Sequence, residues 1–205
     1  GWTVHISRDL LEKEGAKTAK ALDLLKAQLD EIIRVVPKEA VEKIQNVPLY
    51  FSPEYPNIPP RAEFHPGAKW LSDNGRDPVM AKGVEFTNIR IFDEEVHRMP
   101  CFVLHELAHG YHSLFLPQGG ANPEVKAAYE AAKASGKYEK VERQDAKGNK
   151  RMDRAYAMTN PAEFFAESTE AYFGQNDFYP YNNEQLKNYD PDTHRIIAKL
   201  WGVKE

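Results

Sequence analysis

Two histidines four residues apart, with a glutamate directly after the first, lie in the run Cys101-Phe102-Val103-Leu104-His105-Glu106-Leu107-Ala108-His109-Gly110-Tyr111-His112. In a helix, residues four apart share one face, about one turn from each other. His105 and His109 then each turn a ring nitrogen toward a single cation. Glu106, the next residue round, reaches a water molecule held by that cation. The chemistry this spacing suits is metal-assisted hydrolysis, with two imidazole ligands and a general base. Pro100 fits the first turn of such a helix, where a missing N–H is harmless. Phe102, Val103, Leu104, Leu107 and Ala108 would bury most of its remaining surface. Histidine and glutamate need partners in such a core. A metal is one answer, and a metal-free polar network around the histidines is the other.

A catalytic zinc takes three protein ligands and keeps a fourth position for water. The third ligand must come from another element. The segment Asn160-Pro161-Ala162-Glu163-Phe164-Phe165-Ala166-Glu167-Ser168-Thr169-Glu170 opens a second helix, with Asn160 as cap and Pro161 at the first helical position. Glu163, Glu167 and Glu170 recur at i, i+4 and i+7 on one face. Like charges on one stripe repel unless a divalent cation or basic groups offset them. Glu163 is the expected third ligand. Glu167, one turn on, is the expected acceptor for the other ring nitrogen of a ligand histidine, which fixes its tautomer. A glutamate at the third helical position also suits a capping box, so Glu163 has a structural alternative. His112 shares the face of His105 and His109. Three ligands strung along one helix would span about 10 Å, too far for one ion with bonds near 2 Å, so His112 is expected to pack or hydrogen-bond. His5, His65, His97 and His194 are expected at the surface or in structural roles.

HExxH followed by a helix carrying Glu-x-x-x-(Asp/Glu) resembles the gluzincin zinc peptidases. The run Tyr156-Ala157-Met158-Thr159-Asn160-Pro161-Ala162-Glu163-Phe164-Phe165-Ala166-Glu167 is similar to the active-site region of the anthrax lethal factor catalytic domain. The resemblance implies a zincin-like fold, a Zn2+ cofactor, and Glu163 as third ligand beside His105 and His109. It also implies Tyr156 as the residue that stabilises the oxyanion, with Glu106 as general base. The implied activity is metalloendopeptidase hydrolysis of a peptide or protein substrate. The alternative is a metal-binding module of the same fold with weak or no proteolysis. The match covers these dozen residues and the HExxH helix, so substrate recognition does not carry over with it.

The 205 residues are 41% hydrophobic with a net charge of −4. That suits one domain, 1–205. No basic patch suggests nucleic acid, and no run approaches the roughly 20 apolar residues of a membrane span. Cys101 is the only cysteine, so an internal disulfide is impossible. The acidic balance suits a secreted or periplasmic protein.

The expected fold is α+β, a small mixed twisted sheet packed against the active-site helix and further helices. Residues 1–46 read as a helical scaffold, with a strand at 2–6, one helix over 10–36 broken by Pro37, and another over 38–45. Residues 47–116 read as the sheet and the HExxH helix, with strands at 47–51, 62–64, 68–71 and 84–92. The last of these offers an open edge for an extended peptide. Residues 117–155 read as an insert, a helix over 123–135 and then a hairpin expected to form a flap beside the site. Residues 156–205 hold the third-ligand helix, an aromatic loop and a final helix starting near Asp190.

Overall fold

A computed structural model describes residues 1–204. The chain runs β1 (Val4–Ile6), α1 (Arg8–Lys13), α2 (Gly15–Val35), α3 (Lys38–Ile44), β2 (Leu49–Phe51), β3 (Ala62–Phe64), α4 (Ala68–Asp73), β4 (Val84–Phe86), α5 (Phe92–Arg98) and α6 (Phe102–Phe115). It continues through α7 (Pro123–Ser135), β5 (Val141–Gln144), β6 (Lys150–Asp153), α8 (Pro161–Phe173), α9 (Asn183–Tyr189) and α10 (Pro191–Trp201). The architecture is mixed α+β, with a four-stranded sheet, a separate hairpin and many helices.

The sheet order is β1-β2-β4-β3. The first three strands are parallel and β3 is antiparallel to β4. Strand alternation sorts the side chains. Leu49, Phe51, Val84, Phe86 and Phe64 are buried in the core that also holds Phe102, Leu104 and Leu107 of α6. Tyr50, Glu63 and Glu85 take the opposite face. There Arg76 donates to both Glu63 and Glu85, at 2.7 and 3.2 Å. Helix α6 passes through the centre of the molecule, against β3, β4, α2, α3 and α8. Gly110 permits part of that approach: a Cβ there would sit 3.2 Å from Val47 and 3.4 Å from Phe64.

Several elements differ from the sequence expectation. The helix expected over 10–36 is two, because Glu14 leaves helical geometry at φ −134°, ψ 31°. Residues 68–71 form the start of α4 rather than a strand. The run is short, and at helical spacing it buries Leu71 while Trp70 stays 43% exposed. Residues 84–92 make only the three-residue β4. Asn88 then turns the chain into a 3-10 turn, Ile89–Ile91, and α5 follows. Asp93, Glu94 and Glu95 in the first turn of α5, with His97 and Arg98 in its last, complement the helix dipole. β4 lies between β2 and β3, so the sheet edge beside α6 is β3 and the other edge is β1. α9 is a further helix that the apolar spacing does not predict. Asn182 caps it by accepting from the Gln185 N–H. α7 and α10 lie where the sequence put them, and the hairpin expected over 137–143 and 150–156 is shorter, because 137–139 and 156–158 form 3-10 turns. Among the described residues no helix is long and apolar enough to cross a membrane.

Candidate metal centre

Helices α6 and α8 lie against each other and supply the centre. His105 is 4% exposed and His109 stands one turn on. On α8, Asn160 accepts from the N–H groups of Ala162 and Glu163, at 2.9 and 3.0 Å, with Pro161 at the first position. That cap fixes the first turn and aims Glu163 at α6. The Glu163 carboxylate does not complete a capping box: it lies on the two histidines. His105 Nε2 and His109 Nε2 are 3.1 Å apart. Glu163 Oε2 is 3.1 Å from the first and 3.3 Å from the second.

This closed triangle fits a metal better than a hydrogen-bond network. One ring N–H can serve one acceptor well, whereas here each of three polar atoms touches the other two. Nitrogen and oxygen ligands at the usual zinc bond lengths, arranged tetrahedrally, stand about 3.3 Å from each other. The three separations match that value. These atoms also form one of two groups in the described residues with metal-ligand spacing.

Titration follows the same logic. Burial alone would lower the His105 pKa, but Glu163 and Glu170 beside it outweigh burial and hold it well above its ordinary value. Burial would raise Glu163, yet His105 and His109 hold it well below the usual carboxylate range. The triangle therefore stabilises positive charge, and a proton competes with a metal for it.

Behind the triangle, His105 Nδ1 lies 2.7 Å from Glu170 Oε1 and 3.8 Å from Glu167 Oε1. The acceptor that orients His105 is thus Glu170 rather than the expected Glu167. Both carboxyls are buried, and each leaves its Oε2 without a hydrogen-bond partner among the described residues. Burial raises both pKa values, Glu167 with further help from the charge of Glu170 and Glu170 against the pull of His105. The signal for Glu170 was its place on the 163–167–170 stripe.

Glu106 faces the other way, toward the sheet edge. Its Oε2 accepts from the Phe64 N–H of β3 at 2.8 Å. Tyr156 opens the 3-10 turn before α8 and is 48% exposed. Burial of its ring, and then the charge of Glu163, raise its phenol pKa. A cleft of about 580 Å³ joins His105, Glu106, His109, Tyr156 and Glu163 to β3. His112 also borders it but stands outside the triangle, its ring 5.2 Å from Phe165 and its Nε2 unpartnered among the described residues. Burial pushes its pKa down to about 4, with the charge of His109 adding to that. Cys101 is no ligand: its Sγ accepts from the Gln175 N–H, and burial raises its pKa to about 12.

The hydrogen bonds of β3 define its open side. Thr87 N–H donates to the Arg61 carbonyl, and His65 N–H to that of Gly83. In an antiparallel pair these alternate, so the main-chain groups of Ala62 and Phe64 point away from β4. Phe64 shows this through its bond to Glu106. The expected flap also borders the cleft, through Arg143 of β5.

Two histidines on one helix, with a carboxylate delivered by a second, form a group with metal-ligand spacing. Comparison of the sequence with protein-family models gives the class, a metallopeptidase. Residues 89–199, just over half of the chain, match the model described as glucose-regulated metallo-peptidase M90, and the chain belongs to that family. No curated protein sequence matches it. Among solved structures, the PRO-PRO endopeptidase PPEP-2 from Paenibacillus alvei is similar, at 18% identity and a TM-score of 0.47 over 97% of this chain and 96% of that one.

Proposed function

We propose that this metallopeptidase is a gluzincin-type zinc endopeptidase, with His105, His109 and Glu163 as ligands, Glu106 as general base and Tyr156 as oxyanion donor. The observation that carries the reading is the triangle of His105 Nε2, His109 Nε2 and Glu163 Oε2, at 3.1, 3.1 and 3.3 Å. Two imidazoles and one carboxylate are a donor set that suits zinc. Zinc held there would lower the pKa of a water molecule and polarise the scissile carbonyl.

The chain's own groups do the rest. A peptide laid along β3 pairs with the outward N–H and carbonyl of Ala62 and the outward carbonyl of Phe64, whose N–H is taken by Glu106, and this sets its scissile bond in the cleft. Glu106, held by the Phe64 N–H, takes the proton of the attacking water and passes it to the leaving amine. The Tyr156 hydroxyl, kept protonated by its surroundings, donates to the oxygen that gains charge as the carbonyl becomes tetrahedral. Glu170 keeps the Nδ1 proton of His105 in place, so that Nε2 offers its lone pair to the metal.

The test is Glu106→Gln. The variant is expected to bind one zinc as the wild type does, while kcat on a peptide library falls by about 10²–10⁴. A variant as active as the wild type would remove Glu106 from the mechanism. A wild type that binds zinc and cleaves no peptide would make the chain a metal-binding module of this fold.

A further inference from the structure

The hairpin β5–β6 walls one side of the cleft, and Arg143 is its contribution to the lining. The Arg143 Nε–H donates to Asp177 Oδ2 at 3.0 Å, and the guanidinium lies over the Phe178 ring, 4.6 Å from its centroid. Asp177 is 6% exposed, so the side chain is anchored from below. Among the described residues neither Nη1 nor Nη2 of Arg143 has a hydrogen-bond partner, and the side chain is 29% exposed. A guanidinium fixed at Nε and stacked on one face keeps its outer Nη edge ready for a carboxylate.

The strand register adds a second, independent feature. Arg143 pairs directly across from Arg151, so two like charges share one face of the hairpin. Such pairs are disfavoured unless an anion serves them. Arg151 is 67% exposed and has Asp153 at 3.1 Å, whereas Arg143 meets its carboxylate, Asp177, through Nε alone, so its Nη edge above the cleft has no anion among the described residues. Arg61, beside β3 on the same cleft, is exposed and forms no ion pair among the described residues. Of the five acids that line the cleft, Glu167 is buried behind His105 and the other four are already committed. Glu163 lies in the triangle, Glu106 on Phe64, Glu63 on Arg76 and Asp177 under Arg143. The binding capacity left over in the cleft is cationic, although the chain as a whole carries −4.

We infer that Arg143 selects substrates: the outer edge of its guanidinium accepts an aspartate or glutamate side chain of the bound peptide, close to the scissile bond on the hairpin side. The substrate class is then acidic peptides. This rests on the peptidase reading above.

The experiment uses the zinc-loaded protein and peptides matched in every residue but one, with Glu or Gln placed in turn at each position flanking the bond that is cut. The wild type is expected to favour Glu over Gln in kcat/KM by about tenfold or more at one position, the size of one charge-assisted hydrogen bond. That ratio should shrink as salt is raised. In Arg143→Gln the ratio should fall to about one, and in Arg143→Glu the same position should favour Lys over Glu. Because Arg143 covers the buried Asp177, the double variant Arg143→Gln/Asp177→Asn removes both charges and repeats the test in a chain with no uncovered carboxylate. A wild-type ratio near one at every position overturns the inference. So does a loss in the Arg143 variants that is equal for Glu and Gln peptides, since that is what a purely structural arginine gives. Cleavage of no peptide at all overturns the peptidase reading and the inference with it, which sets that failure apart from the others.

Discussion

Exchanging Glu170 for glutamine separates the two buried carboxyls behind His105. The Glu170 Oε1 to His105 Nδ1 distance is 2.7 Å at a buried site, whereas Glu167 Oε1 is 3.8 Å away, beyond hydrogen-bond length. A buried hydrogen bond to a charged acceptor contributes about 1.5–3 kcal/mol. Glutamine keeps the shape but offers a neutral oxygen and can turn its amide the wrong way, so most of that contribution is lost. At about 1.4 kcal/mol per tenfold, zinc affinity should fall by roughly 10–100-fold. Glu167→Gln should do little. The Glu167 carboxyl is pushed toward its protonated form by burial and by Glu170, and glutamine imitates that form. The assay is competition for zinc between each variant and a chromophoric chelator at neutral pH, with circular dichroism to show that both fold. A Glu167→Gln loss equal to or larger than that of Glu170→Gln would refute the assignment of Glu170 as the residue that orients His105.

Two further outcomes follow from the site. Tyr156→Phe should lower kcat by about 10–10³ while KM and zinc content stay close to wild type, because the hydroxyl acts on charge that develops only in the transition state; steady-state kinetics with metal analysis checks this, and an unchanged kcat would dismiss the tyrosine. His112 should make the fold acid-sensitive: its folded pKa is depressed to about 4, so the unfolded chain takes up a proton between pH 6.5 and 4 that the folded chain refuses. The stability contributed by the neutral, buried ring is complete above pH 6.5 and is lost as pH falls through that window, by about 3 kcal/mol at the acid end. Denaturant titrations from pH 7 to 4 should show a shallower loss for His112→Phe than for the wild type, and parallel curves would exclude His112 as the cause.

The parts of this site that could be read from sequence are those set by local geometry. A four-residue spacing puts His105 and His109 on one face wherever the helix lies. Asn160-Pro161 at a helix start likewise places Glu163 in a first turn. What could not be read depends on how two helices cross. At 100° per residue, Glu167 and Glu170 lie about 40° and 20° from the direction of Glu163, on opposite sides. The packing of α8 on α6 selects Glu170 as the partner of His105. The sheet edge escaped for a similar reason. β3 and β4 are three residues each, too short for a period to distinguish them from neighbouring turns, and their order across the sheet differs from their order in the chain. The strand expected at 68–71 failed on the same ambiguity of short apolar runs. Arg143 carries no sequence signature, since its meaning arises from Asp177, thirty-four residues on, and from its place opposite Arg151.

The proposed mechanism requires that two imidazoles of α6 and one carboxylate of α8 hold a single zinc ion. Anomalous diffraction at the zinc edge, from a crystal of the wild-type chain soaked in zinc, tests it most directly. One strong peak enclosed by His105 Nε2, His109 Nε2 and Glu163 Oε2 is expected. A peak held by other residues, or Glu163 turned away from a metal on the two histidines, would contradict it.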